Sequence, residues 1–324
     1  MSEQEPTGRK SLTIVVPVYN EEGHIALLAA RLKEVLAGIE ESWSVLFVDD
    51  GSRDATRARI AELAVTDARF SAIVLSRNFG KEAAQTAGLR HAPGDAVVLM
   101  DADLQHPPEM ILQFLEAWRR GVKVVLGVRK DRVGESPARL QLGRAFYRML
   151  DRISNTRIPK GATEFVLLDR IALDAFNALG ERCRFSRGLF AWIGFPNVVI
   201  PFAVGERAQG LTRMRVIRLI SLGIDGLVSF SSLPLKVWSY VGVAVSIGAI
   251  AYALYNVIET FVFGVDVPGY PSLIVSIMFF AGVQLISLGV IGEYLARVFD
   301  EVKARPLFLV AGRIGGLGAQ QSER

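Results

Sequence analysis

Cysteine is nearly missing from this chain: of 324 residues, only Cys183 is one. A lone cysteine excludes an internal disulfide and a cysteine-rich metal site. Cys183 reads as structural rather than as a catalytic thiol. A large excess of one charge is missing too. The net charge of +4 is too small for the dense basic face that nucleic acid demands. It suits a domain resting on anionic lipid. Residues 1–10 are polar and lack the apolar core of a signal peptide, so the N-terminal domain is expected to stay in the cytoplasm. There is no internal repeat and no low-complexity linker. Two familiar phosphate-binding loops are also lacking. Gly80-Lys81 has neither the upstream Gly nor the following Ser or Thr of a P-loop, and the glycines from Gly312 onward follow no strand–turn–helix context. The segment 312–324 is expected to be loose.

Charged residues are absent from two long runs, 237–257 and 272–292. About 20 residues of helix cross a bilayer core, so each run is long enough. Residues 264–270 form a short turn between them without Lys or Arg. Lys236 precedes the first run, and Arg297, Lys303 and Arg305 follow the second. The positive-inside rule then puts both chain ends in the cytoplasm and the turn outside. A buried helical hairpin in a soluble protein is the alternative. Before these runs, Arg213, Arg215 and Arg218 lead into Ile217, Ile220, Ile224, Leu227 and Val228 at near-helical spacing. That pattern suits a helix in the headgroup layer, with a core helix of the soluble domain as the alternative. Residues 141–154 suggest either a second surface helix or, equally, a solvated basic face, with Arg144, Arg148 and Arg152 four apart.

The first half of the chain alternates short β-rich runs with helical ones. Strands are expected at 12–18, 44–48, 71–75 and 96–100, and helices at about 23–38, 54–66 and 81–91. Alternation of this kind predicts a parallel sheet covered on both faces. Such sheets bind ligands beyond the carboxyl ends of their strands. Every polar cluster in this half lies at such an end: Tyr19-Asn20-Glu21-Glu22, Asp49-Asp50-Gly51-Ser52, Arg77-Asn78-Phe79-Gly80-Lys81 and Asp101-Ala102-Asp103.

Asp101 and Asp103 are alternate residues at a strand end, so both carboxylates can converge. Oxygen ligands suit Mg²⁺ or Mn²⁺, which keep positions open for diphosphate oxygens. Gln105 is placed to touch the metal shell or the phosphates, and His106 reads as a loop residue rather than a ligand. Asp49 and Asp50 can divide two tasks: an N-cap for the next helix, and acceptance of hydrogen bonds from a base or ribose. Tyr19 and Glu21 can flank the base. Lys81, at a helix start, is a candidate phosphate contact.

This ordered set resembles the family 2 glycosyltransferases of the GT-A fold. The motifs are Val16-Pro17-Val18-Tyr19-Asn20-Glu21-Glu22, Val48-Asp49-Asp50-Gly51-Ser52 and Asp101-Ala102-Asp103-Leu104-Gln105. Arg77-Asn78-Phe79-Gly80-Lys81-Glu82 and Pro107-Pro108-Glu109 narrow the resemblance to polyprenyl-phosphate glycosyltransferases, which include dolichyl-phosphate mannose synthase and bacterial undecaprenyl-phosphate glucosyltransferases. Arg184-Phe185-Ser186-Arg187-Gly188-Leu189 and Gly292-Glu293-Tyr294-Leu295 extend it to about residue 309.

The resemblance implies metal-dependent, inverting transfer of a hexose from a nucleotide sugar, commonly UDP-glucose, to a polyprenyl phosphate such as undecaprenyl phosphate. It implies Asp101 and Asp103 on the metal, and Pro17, Tyr19, Glu21, Asp50 and Lys81 around the nucleotide. Gln105, Arg129, Arg139, Arg207 and Arg213 would gather phosphate charge. Glu164 stands where the family has an Asp that orients the acceptor or acts in catalysis. The family's following Arg is Val166, and its Ser-Lys-Tyr is Thr212-Arg213-Met214.

The expected architecture is α/β: a polar, disordered 1–10; a Rossmann-like, mostly parallel GT-A domain over 11–210; amphipathic interface helices over 211–235; a transmembrane hairpin over 236–298, with spans at about 237–260 and 271–295; and a cytoplasmic tail over 299–324. The resemblance implies a multi-pass protein of the bacterial inner membrane and a homo-oligomer, a tetramer. No nucleic-acid partner is expected. A membrane pseudoenzyme or scaffold that keeps the fold without transfer is the alternative, motivated by Glu164, Val166 and Met214. A chain-elongating polysaccharide synthase is a third reading, disfavoured by only two spans.

Overall fold

A computed structural model describes residues 9–129, 159, 161–182, 184, 186–203, scattered positions between 238 and 262, and 269–316. The expected surface helices at 141–154 and 213–230 lie outside the described residues, as do Cys183 and part of the first apolar run. The chain forms two compact units: 1–151, 156–214 and 305–324 make up the first, and 152–155 with 215–304 the second.

The first unit is an eight-stranded sheet with helices between its strands. β1 (Ser11–Val18), β2 (Ser42–Asp49), β3 (Phe70–Leu75) and β4 (Ala96–Leu99) alternate with α1 (Ile25–Val35), α2 (Thr56–Thr66) and α3 (Lys81–His91). Then come α4 (Met110–Arg119), β5 (Val124–Arg129), β6 (Ala162–Asp169), α5 (Arg170–Ala178), α6 (Ser186–Trp192) and β7 (Asn197–Phe202). The spatial order is β7-β5-β6-β4-β1-β2-β3-β8, where β8 is Val310–Ile314. β1 pairs in parallel with β2 and β4, β2 with β3, and β5 with β7. β6 runs antiparallel to β4 and β5, and β8 antiparallel to β3. The sheet is therefore parallel at its centre, as the alternating pattern implied.

Burial explains which runs became strands. β3 and β4 are buried at every residue, so both faces are covered and the sequence reads as continuous apolar runs rather than alternating ones. On one face Ile14, Val16 and Phe47 pack with Leu28, Leu32, Phe114 and Phe165. On the other, α3 lies so close that a Cβ on Gly88 would meet Val15 Cγ1 at 2.2 Å. A side chain at that position would push the helix off the sheet.

β8 corrects the expectation of a loose tail for residues 312–314, while 317–324 lie outside the described residues. Four of its five residues pair with β3, from Ala72↔Ile314 to Leu75↔Val310, with a register shift that skips Ala311. Ser76 N–H also donates to the Leu309 carbonyl at 2.9 Å. The pairing covers an edge that β3 would otherwise expose.

The second unit contains α7 (Tyr270–Lys303), which at 34 residues is about 51 Å long at 1.5 Å per residue. Within it, residues Phe279–Lys303 are long and apolar enough to span a membrane, with mean hydropathy 1.5 and none of that window buried. Among the described residues it is the one such helix. α7 runs past the expected end of the span at 295 and stops where Ala304 turns left-handed, with φ +53°.

Candidate active site

β1, β2 and β4 are parallel, so their carboxyl ends open on one edge of the sheet. The loops there are stitched together. Asn20 N–H donates to Ser52 Oγ at 3.0 Å, Arg53 N–H to Asn20 Oδ1 at 2.9 Å, and Glu21 N–H to Thr56 Oγ1 at 2.8 Å. Between the stitches the chain turns left-handed at Asn20 and at Gly51, where φ is +55° and +73°. A Cβ on Gly51 would meet the Arg77 carbonyl carbon at 2.6 Å, so only glycine fits.

The edge encloses a cleft of about 290 Å³. Pro17, Tyr19, Glu21, Asp50, Lys81, Asp101 and Asp103 all line it, together with Asn78 and Gly80. The sequence named the first seven from separate motifs, and folding brings them to one place.

Asp49 and Asp50 do divide their work. Asp49 is fully buried; its Oδ1 accepts from Ser52 N–H at 2.9 Å, and its Oδ2 pairs with Arg57 at 3.1 Å. That closes the turn before α2 instead of capping the helix. Asp50 accepts from Phe79 N–H at 2.7 Å and Gly80 N–H at 2.9 Å. Burial pushes its carboxyl above the usual range, against those two donors.

The antiparallel β6 brings Glu164 to the same edge. Leu99 pairs with Val166, and two more residues along each strand bring Asp101 level with Glu164. Lys81 bridges them, its Nζ 2.6 Å from Asp101 Oδ1 and 2.6 Å from Glu164 Oε2. Glu164 is almost fully buried. Its Oε1 accepts from Arg187 Nε at 2.9 Å and pairs with Nη2 at 2.8 Å, and its Oε2 also accepts from Gln85 Nε2 at 3.0 Å. Burial opposes ionisation there, but Arg187 and Lys81 outweigh it and hold the carboxyl at about 2. For Lys81, likewise, burial is outweighed by Asp101 and Glu164, and its pKa is raised. Glu82, next along α3, accepts from the Ser186 amide at 3.2 Å and from the Ser186 hydroxyl, and burial pushes its carboxyl up.

Asp103 is oriented by Gln105, whose amide Nε2 donates to Oδ2 at 2.7 Å and whose backbone N–H donates to Oδ1 at 3.1 Å. Gln105 thus engages the carboxylate itself. Among the described residues no group of three or more His, Cys, Asp or Glu could hold a metal ion. The donors are two carboxylates aimed into a cleft, which fits Mg²⁺ or Mn²⁺ completing its shell with substrate phosphates and water. Arg129 ends β5, its N–H donating to the Gly161 carbonyl at 3.0 Å. It is not among the residues lining the cleft. Arg139, Arg207 and Arg213 lie outside the described residues.

Sequence reasoning assigned no role to Arg187, Gln85 or Glu82. Gln85 sits four residues after Lys81, one helical turn along the same face, which was an available signal. Arg187 had none beyond its place in the Arg184–Leu189 motif.

Comparison with known proteins follows the same lines. Residues 13–176 match the family described as Glycosyl transferase family 2, and residues 233–298 match the GtrB C-terminal hairpin. An uncharacterized glycosyltransferase of Synechocystis sp. is 45% identical over 300 residues, covering 93% of this chain and 94% of that protein. The SfII prophage-derived bactoprenol glucosyl transferase of Shigella flexneri is 39% identical over 299 residues, covering 92% and 97%. Among solved structures, the mannosyltransferase PcManGT from Pyrobaculum calidifontis, in complex with GDP-Man and Mn²⁺, aligns with a TM-score of 0.44 at 19% identity, covering 92% of this chain and 88% of that one.

Proposed function

This chain belongs to glycosyl transferase family 2 and matches the GtrB C-terminal hairpin over residues 233–298, and from that premise we propose that it transfers a hexose, with UDP-glucose the first donor to try, to undecaprenyl phosphate at the cytoplasmic face of a bacterial inner membrane. The observation that carries the reading is the convergence of Pro17, Tyr19, Glu21 and Asp50 with Lys81, Asp101 and Asp103 in one cleft. The bactoprenol glucosyl transferases that match over nearly their whole length support the lipid acceptor.

In this reading Pro17, Tyr19, Glu21 and Asp50 hold the nucleoside. Asp101 and Asp103 would hold Mg²⁺ or Mn²⁺, which when bound would supply Lewis-acid stabilisation of the leaving diphosphate. A phosphate oxygen of the lipid forms the new bond to the anomeric carbon as the bond to the nucleoside diphosphate breaks, with inversion. A phosphate monoester is already largely dianionic near neutral pH, its second pKa being about 6, so no strong base is required. Glu164 is a poor base in any case, with its carboxyl at about 2 and both oxygens engaged. In this proposal its work is to hold Lys81 and Arg187 in place, rather than to orient the acceptor or act in catalysis as the resemblance implied. Lys81 then contributes positive charge beside the diphosphate, and Arg129, Arg139, Arg207 and Arg213 are assigned to the phosphates of donor and acceptor.

The fold supports a hairpin in the membrane. β8 follows α7 and joins the sheet that contains β1. If α7 crosses a bilayer, the chain between β7 and β8 must cross an even number of times. The uncharged run 237–257 is the natural second crossing. The tetramer belongs to the same proposal.

Detergent-solubilised protein with Mg²⁺ or Mn²⁺, undecaprenyl phosphate and a panel of nucleotide sugars tests the reading. Nucleoside diphosphate release that needs both the lipid and one donor is the expected result. Lipid-independent release, or none from folded, metal-loaded protein with any donor, contradicts it.

A further inference from the structure

We propose that His106 is a positioning residue for the metal-binding turn: its Nδ1 holds the backbone of Asp101 and thereby sets how the Asp101 and Asp103 carboxylates enter the cleft. The inference rests on the reading that those two carboxylates hold a divalent cation.

The chain leaves the sheet at this point. Met100 N–H still donates to the Val15 carbonyl of β1 at 3.1 Å, whereas the next amide, that of Asp101, donates to His106 Nδ1 at 3.0 Å. The turn between them is tight, since Leu104 adopts φ +59°, a conformation that costs a branched side chain energy and persists only when its surroundings hold it. His106 closes the turn from its far end. Its side chain is 7% exposed. It stacks on Phe165 at 4.9 Å with an interplanar angle of 9°, and meets Phe202 edge-on at 5.8 Å. Phe165 adjoins Glu164 in β6, so one ring ties the metal turn to the strand that presents Glu164.

An Nδ1 that accepts leaves the ring proton on Nε2. Nε2 lies 3.9 Å from Asp101 Oδ2, beyond hydrogen-bond reach. Nδ1 is engaged by the Asp101 amide, and among the described residues His106 belongs to no group of three or more His, Cys, Asp or Glu that could hold a metal ion; the acceptor at Nδ1 is what the turn uses.

A buried ring could serve packing alone, and two substitutions separate the roles. His106→Asn places an oxygen near the Nδ1 position and discards the ring. His106→Phe keeps the stack on Phe165 and discards the acceptor. The measurement is Mn²⁺ affinity of the purified full-length protein with UDP present, by electron paramagnetic resonance, alongside the thermal midpoint. H106F is expected to weaken Mn²⁺ about tenfold, the scale of one buried N–H left without a partner, and H106N by less than about threefold. H106L supplies the acceptor-free comparison if H106F does not fold. Wild-type Mn²⁺ affinity in folded H106F or H106L overturns the proposal, as does a loss in H106N equal to or greater than theirs. Wild-type protein that binds no Mn²⁺ overturns the metal assignment itself, a result distinct from either.

Discussion

Replacing Glu164 with Gln tests how the centre of the site is held together. The side chain keeps its shape and loses its charge, leaving Arg187 without its buried partner and Lys81 with Asp101 alone. The carboxyl sits at about 2 in the folded protein against an ordinary 4.5. At about 1.4 kcal/mol per pKa unit, that difference is worth roughly 3 kcal/mol, and removing one partner of a buried ion pair costs about 3–5 kcal/mol. For a domain of this size, a loss of about 3 kcal/mol lowers the melting temperature by about 6–12 °C. The sign follows from linkage. A carboxyl whose folded pKa is depressed stabilises fully above its unfolded pKa, and that contribution fades as pH falls through its folded value. The gap between wild type and E164Q is therefore full at pH 7, begins to shrink below about 4.5 and is mostly gone near 2. Thermal unfolding of both proteins across that range measures it. A gap below about 1 kcal/mol at pH 7, or one that stays constant down to pH 3, refutes the assignment of Glu164 as a paired hub.

Three further perturbations bear on the cleft. Asp103→Ala is expected to remove most turnover while leaving the melting temperature near wild type; near-normal turnover in metal-saturated protein would sink the metal assignment. Lys81→Gln takes the ammonium from between Asp101 and Glu164, so nucleotide-free protein should bind Mn²⁺ more tightly by calorimetry while turnover falls about tenfold or more. Unchanged affinity and turnover would mean that Lys81 serves neither the metal site nor the diphosphate. Asp50→Ala leaves the Phe79 and Gly80 amides without their acceptor. UDP affinity should drop about tenfold, and an unchanged dissociation constant would place the nucleoside elsewhere.

Local signals carried far in this chain. The expected helix at 81–91 is α3 to the residue, because Gly80 turns with φ +96° before it and Pro93 forces Ala92 into extended backbone after it. Strand ends carrying Asp50, Asp101 and Asp103 were readable because parallel strands must share an edge. What escaped was set by pairing between distant segments. β8 lies in a glycine-rich stretch that reads as loose, and only the unpaired edge of β3, far back in the sequence, makes it a strand. The partners of Glu164 escaped for a similar reason: the antiparallel β6 reverses direction and lifts the residue level with Asp101, while Arg187 arrives from α6. His106 looked like a loop residue, and only the turn at Leu104 brings its ring back onto Asp101. Val166, which replaces an Arg in the family pattern, is fully buried between β4 and β5, a place that suits an apolar side chain.

The most direct test of the central claim follows labelled hexose from the nucleotide sugar into extracted lipid, with undecaprenyl phosphate and undecaprenol compared as acceptors. Label that enters only the phosphorylated lipid, in an anomeric linkage opposite to that of the donor, is the predicted result. Label on undecaprenol, retention of the donor's configuration, or no transfer by folded, metal-loaded protein across the donor panel would contradict it.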